Sequence, residues 1–162
     1  MERKPILYIM CGCSGSGKST WAHEFIKNND VRYVSRDEIR LSLIKDNEEY
    51  FSHEKEVFRH FANIITQTLV DGFDVIADAT HLTINSRKKL TNAIDRLFTN
   101  YTIIYVWINT PLDICLARNA KREGLAHVPE NVLINMYNTM KCPSLEEDSR
   151  AFSINDVTVG DN

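Results

Sequence analysis

"GCSGSGKST" (Gly12–Thr20) stands directly behind the apolar run ILYIMC and directly ahead of WAHEFI. The stretch satisfies the pattern glycine, any four residues, then Gly-Lys-Ser/Thr, and its residue types dictate what it can do. Gly12, Gly15 and Gly17 let the backbone curl tightly enough for successive N–H groups to point inward at a phosphate. Lys18 adds a mobile charge near the β- and γ-phosphates, and the Ser19 hydroxyl can ligate Mg²⁺. A helix starting at Lys18 turns its N-terminal dipole toward the same anion. An ordinary glycine loop has no need of a strand before it and a helix after it, and this sequence supplies both. Gly12, Cys13, Ser14, Gly15, Ser16, Gly17, Lys18, Ser19 and Thr20 are therefore assigned to binding a nucleoside triphosphate.

Outward from that loop, apolar runs and helical periods alternate along the whole chain, the pattern of an α/β protein with a mainly parallel sheet. Strands are expected at Ile6–Met10, at VRYVS, at DVIADA and at YTIIYVWIN, the last a buried β-branched and aromatic run. A fifth, short strand is expected near Phe152 to Val159. Helices are predicted from about Lys18 to Lys27 and from Glu54 to Leu69, the latter carrying Val57, Phe58, Phe61, Ile64, Ile65 and Leu69 at helical spacing before Gly72. Another spans about Asn85 to Phe98, with Leu90, Ile94 and Leu97 inward. Thr110-Pro111 reads as the cap and first-turn residue of a helix carrying Asp113 to about Asn119. The charged stretch KREGLAHVPEN then reads as a mobile loop before a helix with Val132, Leu133, Met136, Tyr137 and Met140. Right-handed crossovers place the loops that follow the strands along one edge of the sheet, where function should collect.

Length and composition bound the rest. A chain of 162 residues with 43% hydrophobic content suits a single domain, residues 1–162. A net charge of −3 argues against wholesale wrapping of nucleic acid but leaves room for a local basic pocket. No apolar segment approaches a membrane span, and the amino terminus leads straight into the phosphate loop, so a soluble, cytoplasmic protein with no membrane partner is expected. Cys11, Cys13, Cys115 and Cys142 lack paired CxxC spacing and read as reduced thiols, Cys11 and Cys13 being buried small hydrophobes. The five histidines show no metal-ligand spacing, and His53 or His60 reads as surface or core.

Three further loops carry charge to the active edge. In SRDEIR, Asp37 is either a general base or the cap of a helix whose first turn includes Glu38. Asp78, closing the third strand, is either a partner of Mg²⁺ through water or an Asx-type turn. Arg118 and Arg122, four apart, are either a lid that reaches the γ-phosphate or a solvated basic face near a helix C-terminus. Phosphoryl transfer needs charge neutralised and an acceptor hydroxyl aligned, and these residue types supply both.

Taken together, GCSGSGKSTWAHEFI, SRDEIR, DATHLT followed by Arg87, RNAKREG and VPENVLINMYNTM resemble the bacteriophage polynucleotide 5′-kinase domain, within the wider group of small P-loop kinases that includes zeta toxins and gluconate and shikimate kinases. The likeness runs in unbroken order over about residues 5 to 142. It implies an adenylate-kinase-like three-layer sandwich with a mainly parallel sheet of about five strands and a helical lid. It also implies ATP and Mg²⁺ as cofactors and transfer of the γ-phosphate to a 5′-hydroxyl of DNA or RNA. By the same resemblance Lys18 and Ser19 hold phosphate and Mg²⁺, Asp37 is the base, Arg40 contacts the acceptor strand's phosphate, and Arg122 reaches the transferring phosphate. Two departures stand out. The aspartate of IADATHLT lies two residues before the threonine rather than adjacent to it, so the role of Asp78 is open between metal and substrate binding. No Asp-x-Asp-Gly-Thr phosphatase signature occurs in the sequence, so kinase activity without 3′-phosphatase activity is expected.

The competing readings are a small-molecule or nucleotide kinase on the same fold, and a nucleotide-binding regulator that transfers nothing. A GTPase is disfavoured because no Asn-Lys-x-Asp motif occurs. Tyr50, Phe51 and Phe58 could stack acceptor bases or belong to the core. The oligomeric state is open.

Overall fold

The alternation of apolar strands and amphipathic helices resolves, in a computed structural model that describes residues 2–158, into five parallel strands and six α-helices. Strand β1 (Ile6–Cys11) leads through the phosphate loop into α1 (Lys18–Lys27), then β2 (Val31–Ser35) and α2 (Arg36–Leu43). Helix α3 (Glu54–Val70), β3 (Asp74–Asp78), α4 (Ile84–Asp95), β4 (Thr102–Asn109), α5 (Leu112–Ala120), α6 (Glu130–Thr139) and β5 (Ala151–Thr158) follow. The sheet order is β2-β3-β1-β4-β5, every pairing parallel, with a register shift between Ile103 and Ile104 where β4 meets β5. The expected fifth strand is thus present through Thr158, and Val159 lies outside the described residues.

Alternate side chains leave opposite faces of a strand, so β1 feeds two cores at once. Leu7, Ile9 and Cys11 join Phe61, Ile65, Leu90 and Ile94 on the face covered by α3 and α4. Tyr8 and Met10 join Ala22, Ile76 and Val106 on the face covered by α1. That is the three-layer arrangement that the resemblance to small P-loop kinases implies. A third cluster, Cys13, Cys115, Val128 and Leu133, supports the phosphate loop from the side of α5 and α6.

Three local expectations differ from the structure. Helix α4 stops at Asp95, so Leu97 falls beyond its apolar face and is 78% exposed. Within α3, Ile64 is also exposed, because the buried stripe of Val57, Phe61, Ile65 and Leu69 runs in steps of four and leaves position 64 off it. Thr110 does not cap α5. Pro111 occupies the cap position, and the Thr110 hydroxyl donates instead to the Ser16 carbonyl at 2.6 Å, binding the end of β4 to the phosphate loop.

The turn after β3 is tied down from both sides. The N–H of Gly12 donates to the Thr80 carbonyl, and the ring of His81 bonds the Met10 carbonyl through Nδ1 at 2.7 Å. His81 is buried, and that burial pushes its pKa down to about 4, so the ring is neutral at pH 7. Arg87 of α4, 1% exposed, donates to the His81 carbonyl and makes a two-pronged ion pair with Glu147 at 2.9 and 2.7 Å. Burying an arginine is tolerable only with such complete partnering.

Candidate active site

The loops that follow β1, β2 and β3 converge on one cavity of about 350 Å³. Its floor is the phosphate loop. Ser14, Gly15, Gly17, Lys18, Ser19 and Thr20 line it, whereas Gly12, Cys13 and Ser16 are buried behind. A side chain could not replace hydrogen at the key glycines. A Cβ on Gly15, where φ is +78°, would stand 2.9 Å from the Cys115 carbonyl oxygen, and Gly17 has φ +101°. The thiol of Cys13 is turned into the third cluster, so the role assigned to that residue reduces to its backbone. Lys18 donates to the carbonyls of Gly12 at 3.0 Å and Cys13 at 2.9 Å, folded over its own loop. Burial lowers its pKa, while the charges of Asp78 and Asp37 act to raise it.

At the end of β3, Asp78 is 5% exposed, and its Oδ2 accepts from the Ser19 hydroxyl at 2.9 Å and from the Tyr33 hydroxyl. Both hydroxyl partners come from other elements, so the carboxylate bridges the phosphate loop, β2 and β3 instead of closing a local turn. Ser19 and Asp78 together offer hard oxygen donors beside the phosphate loop, a donor set that fits Mg²⁺. A cation held there would neutralise charge on transferring phosphates.

The wall across the cavity comes from α2 and the loop ahead of α3. The cap of α2 is Ser35, whose Oγ accepts from the Glu38 N–H at 3.2 Å. Asp37, in the first turn, is therefore free of capping duty, and its side chain, 69% exposed, borders the cavity. Its Oδ1 accepts from the Arg40 guanidinium and from the Tyr50 hydroxyl at 3.0 Å. Arg40 is only 6% exposed, because Glu54 grips its Nε at 2.8 Å and its Nη2 at 2.7 Å. Those bonds hold the Glu54 carboxyl below its ordinary pKa. Tyr50 and Phe51 flank the same guanidinium, 4.9 and 5.1 Å from ring centroid to its carbon, and both line the cavity. Phe58 instead packs against the main core. The Arg36 side chain reaches the cavity with Nη2 3.4 Å from Glu54 Oε1 and with Nε buried and lacking a hydrogen-bond partner among the described residues.

The third wall is the segment between α5 and α6. Arg118 lies in the last turn of α5 and reaches the Gly15 carbonyl from behind the loop at 3.3 Å. Arg122 lies past the end of α5, so the two arginines do not share a helix face, and Arg122 alone borders the cavity. Gly124–Ala126 forms a single 3₁₀ turn. The buried Asn119 side chain closes this stretch, donating to the Val128 carbonyl at 2.6 Å and accepting from the Val128 N–H at 2.9 Å.

Sequence reasoning thus brought Lys18, Ser19, Asp37, Arg40, Asp78 and Arg122 to one place. It missed Tyr33, Glu54 and Asn119. Only Glu54 had a legible signal, as the acidic residue opening a long helix 14 positions after Arg40.

Comparison with known proteins agrees with this fold. The sequence model of the AAA domain family matches residues 7–143. Uridine-cytidine kinase A of Dictyostelium discoideum is 30% identical over 90% of this chain, which spans 34% of that protein's length. A chain of the Pnkp1/Rnl/Hen1 RNA repair complex superposes with a TM-score of 0.72 at 23% identity, covering 86% of this chain and 45% of its own. A fungal RNA kinase superposes with a TM-score of 0.68 at 12% identity, covering 98% of this chain and 76% of its own. The fold is that of P-loop kinases.

Proposed function

The chain belongs to the AAA domain family, and from that premise we propose that it is an ATP-dependent kinase that transfers the γ-phosphate to the 5′-hydroxyl of a polynucleotide. The observation that carries this reading is the acceptor wall. Asp37, held through Oδ1 by Arg40 and Tyr50 and exposing Oδ2, borders the cavity beside Arg36, Arg40 and the half-exposed ring of Phe51. A wall of this kind offers cations for phosphodiester charge and a π-face for a base, the two features that single-stranded nucleic acid presents together.

In this reading Lys18 and the loop N–H groups neutralise the β- and γ-phosphates, and Ser19 and Asp78 hold Mg²⁺. Asp37 takes the proton of the acceptor hydroxyl through Oδ2, the oxygen that accepts no protein hydrogen bond in the described residues, while Arg40 and Tyr50 hold Oδ1. Arg122 approaches the transferring phosphate from the third wall. Arg40, gripped by Glu54, contacts an acceptor phosphate only at the expense of its bond to Asp37, whereas Arg36 meets Glu54 through Nη2 alone, at 3.4 Å, and is the more loosely held guanidinium.

A second reading is supported by the 30% identity to a nucleoside kinase, uridine-cytidine kinase A. In it the same base and loop serve a free nucleoside, and Tyr50 and Phe51 cover its base. A radiolabelled γ-phosphate assay decides between them, run in parallel on 5′-hydroxyl oligonucleotides, nucleosides, nucleotides and sugars. Preference for oligonucleotides over nucleosides by kcat/KM supports the first reading, and the reverse order replaces it with the second. No transfer to any acceptor, with ATP still bound, would leave a nucleotide-binding regulator. No helix of the described residues is long and apolar enough to cross a membrane, and a cytoplasmic site of action accords with that.

A further inference from the structure

The hydroxyl of Tyr33 has no part in the reaction outlined above, yet it reaches the carboxylate at the end of β3. Tyr33 sits mid-strand in β2, two residues before the turn into α2, and β2 pairs with β3 in the register Tyr33↔Ile76 and Ser35↔Asp78. Its ring packs tilted against His23 of α1, centroids 4.9 Å apart, and its apolar edge joins the core on the α1 face. The hydroxyl donates to Asp78 Oδ2, the same oxygen that accepts from Ser19, and stands 3.4 Å from Ser19 Oγ.

We propose that Tyr33 is a positioning residue for the Mg²⁺ site, acting through Asp78 on the Ser19 hydroxyl. A serine hydroxyl has one proton and two lone pairs. With its proton committed to Asp78, Ser19 keeps its lone pairs for a cation. That orientation holds only while Asp78 stays in place. Asp78 is buried at a strand end, and the Tyr33 hydroxyl is its second anchor. Groups that hold metal ligands in this way typically govern metal affinity by about 10- to 100-fold.

The inference rests on reading the cavity as a Mg²⁺-nucleotide site and is independent of which acceptor is used. Its test is a binding measurement with ADP and no acceptor. Calorimetry follows ADP binding across a Mg²⁺ titration for the parent, Tyr33→Phe, Asp78→Asn and the double variant. Tyr33→Phe keeps the ring and removes the hydroxyl. Its Mg²⁺ half-saturation should rise about 10-fold, with ADP affinity in chelator unchanged within about twofold. In the Asp78→Asn background Tyr33→Phe should add nothing further, because its effect passes through that carboxylate. A His23→Ala variant loosens the ring packing and spares the hydroxyl, and it should leave the Mg²⁺ response at the parent value. Three results each overturn the proposal: an unchanged Mg²⁺ response in Tyr33→Phe, effects that add in the double variant, or a His23→Ala shift equal to that of Tyr33→Phe. Loss of oligonucleotide phosphorylation with this Mg²⁺ pattern intact would count against the acceptor assignment alone.

Discussion

The two sides of the cavity are built by different means. The nucleotide side is local. Nine consecutive residues, Gly12–Thr20, supply the loop, and their backbone, with glycines at φ +78° and +101°, creates the concavity. The acceptor side is assembled from side chains on α2, the following loop and the start of α3, with Asp37, Arg40, Tyr50 and Glu54 linked in one polar network. A backbone cradle accepts the phosphates common to all nucleoside triphosphates. A side-chain wall can be retuned residue by residue, so on the proposed reading the choice of acceptor belongs to the second region.

Substitutions that strike one side and spare the other test that division. Lys18→Met removes the one mobile charge of the nucleotide side, and transfer to any acceptor should fall by roughly 10³-fold or more. Single-turnover kinetics with saturating acceptor measure this, and near-normal turnover would undo the phosphate-loop assignment. Asp37→Asn, on the other side, should lower kcat by roughly 10²- to 10⁴-fold while leaving the ATP Kd nearly unchanged, since a base acts in the transition state. Because Ser35 is the cap of α2, the melting temperature of this variant should match the parent. Turnover within a few-fold of the parent would remove Asp37 as the base.

Arg40→Lys keeps the charge that Glu54 requires but loses the two-pronged grip. The acceptor KM should rise about tenfold with ATP binding unaltered, as expected for the loss of a charge-assisted hydrogen bond. A matching rise in the ATP Kd would show that the two sides are not separable. Ser35→Ala is the smallest change. It should cost about 1 kcal/mol in urea denaturation, with turnover close to that of the parent. A large loss of turnover there would mean that the cap, and not the Asp37 carboxylate alone, sets the geometry of the acceptor side.

Much of this was legible in the residue order. A strand, a glycine-rich turn and a helix are short-range patterns, and residues 6–27 fold as their spacing requires. Asp37 and Asp78 were legible because parallel strands return every following loop to the same edge. Arg122 was legible as a cavity residue but not in its placement, because α5 ends two residues earlier, at Ala120. Leu97 was misplaced for a similar reason. Its apolar spacing continues that of α4, but the helix stops at Asp95, where Tyr101 donates to the Asp95 carboxylate at 2.8 Å and Arg150 binds the same group.

The sequence by itself determined the α/β class, the phosphate loop and the identity of the charged residues at the active edge, since each depends on contacts between near neighbours or on the period of the chain. Tertiary structure alone decided which of those charges are free. Arg40 is occupied because Glu54, 14 residues on, folds back across α2, and Asp37 is available because Ser35 took the cap. Tyr33 meets Asp78 only because β2 lies beside β3 in one particular register. A side chain's chemistry is written in its type, but its freedom to act depends on partners that only the closed fold brings within hydrogen-bonding distance.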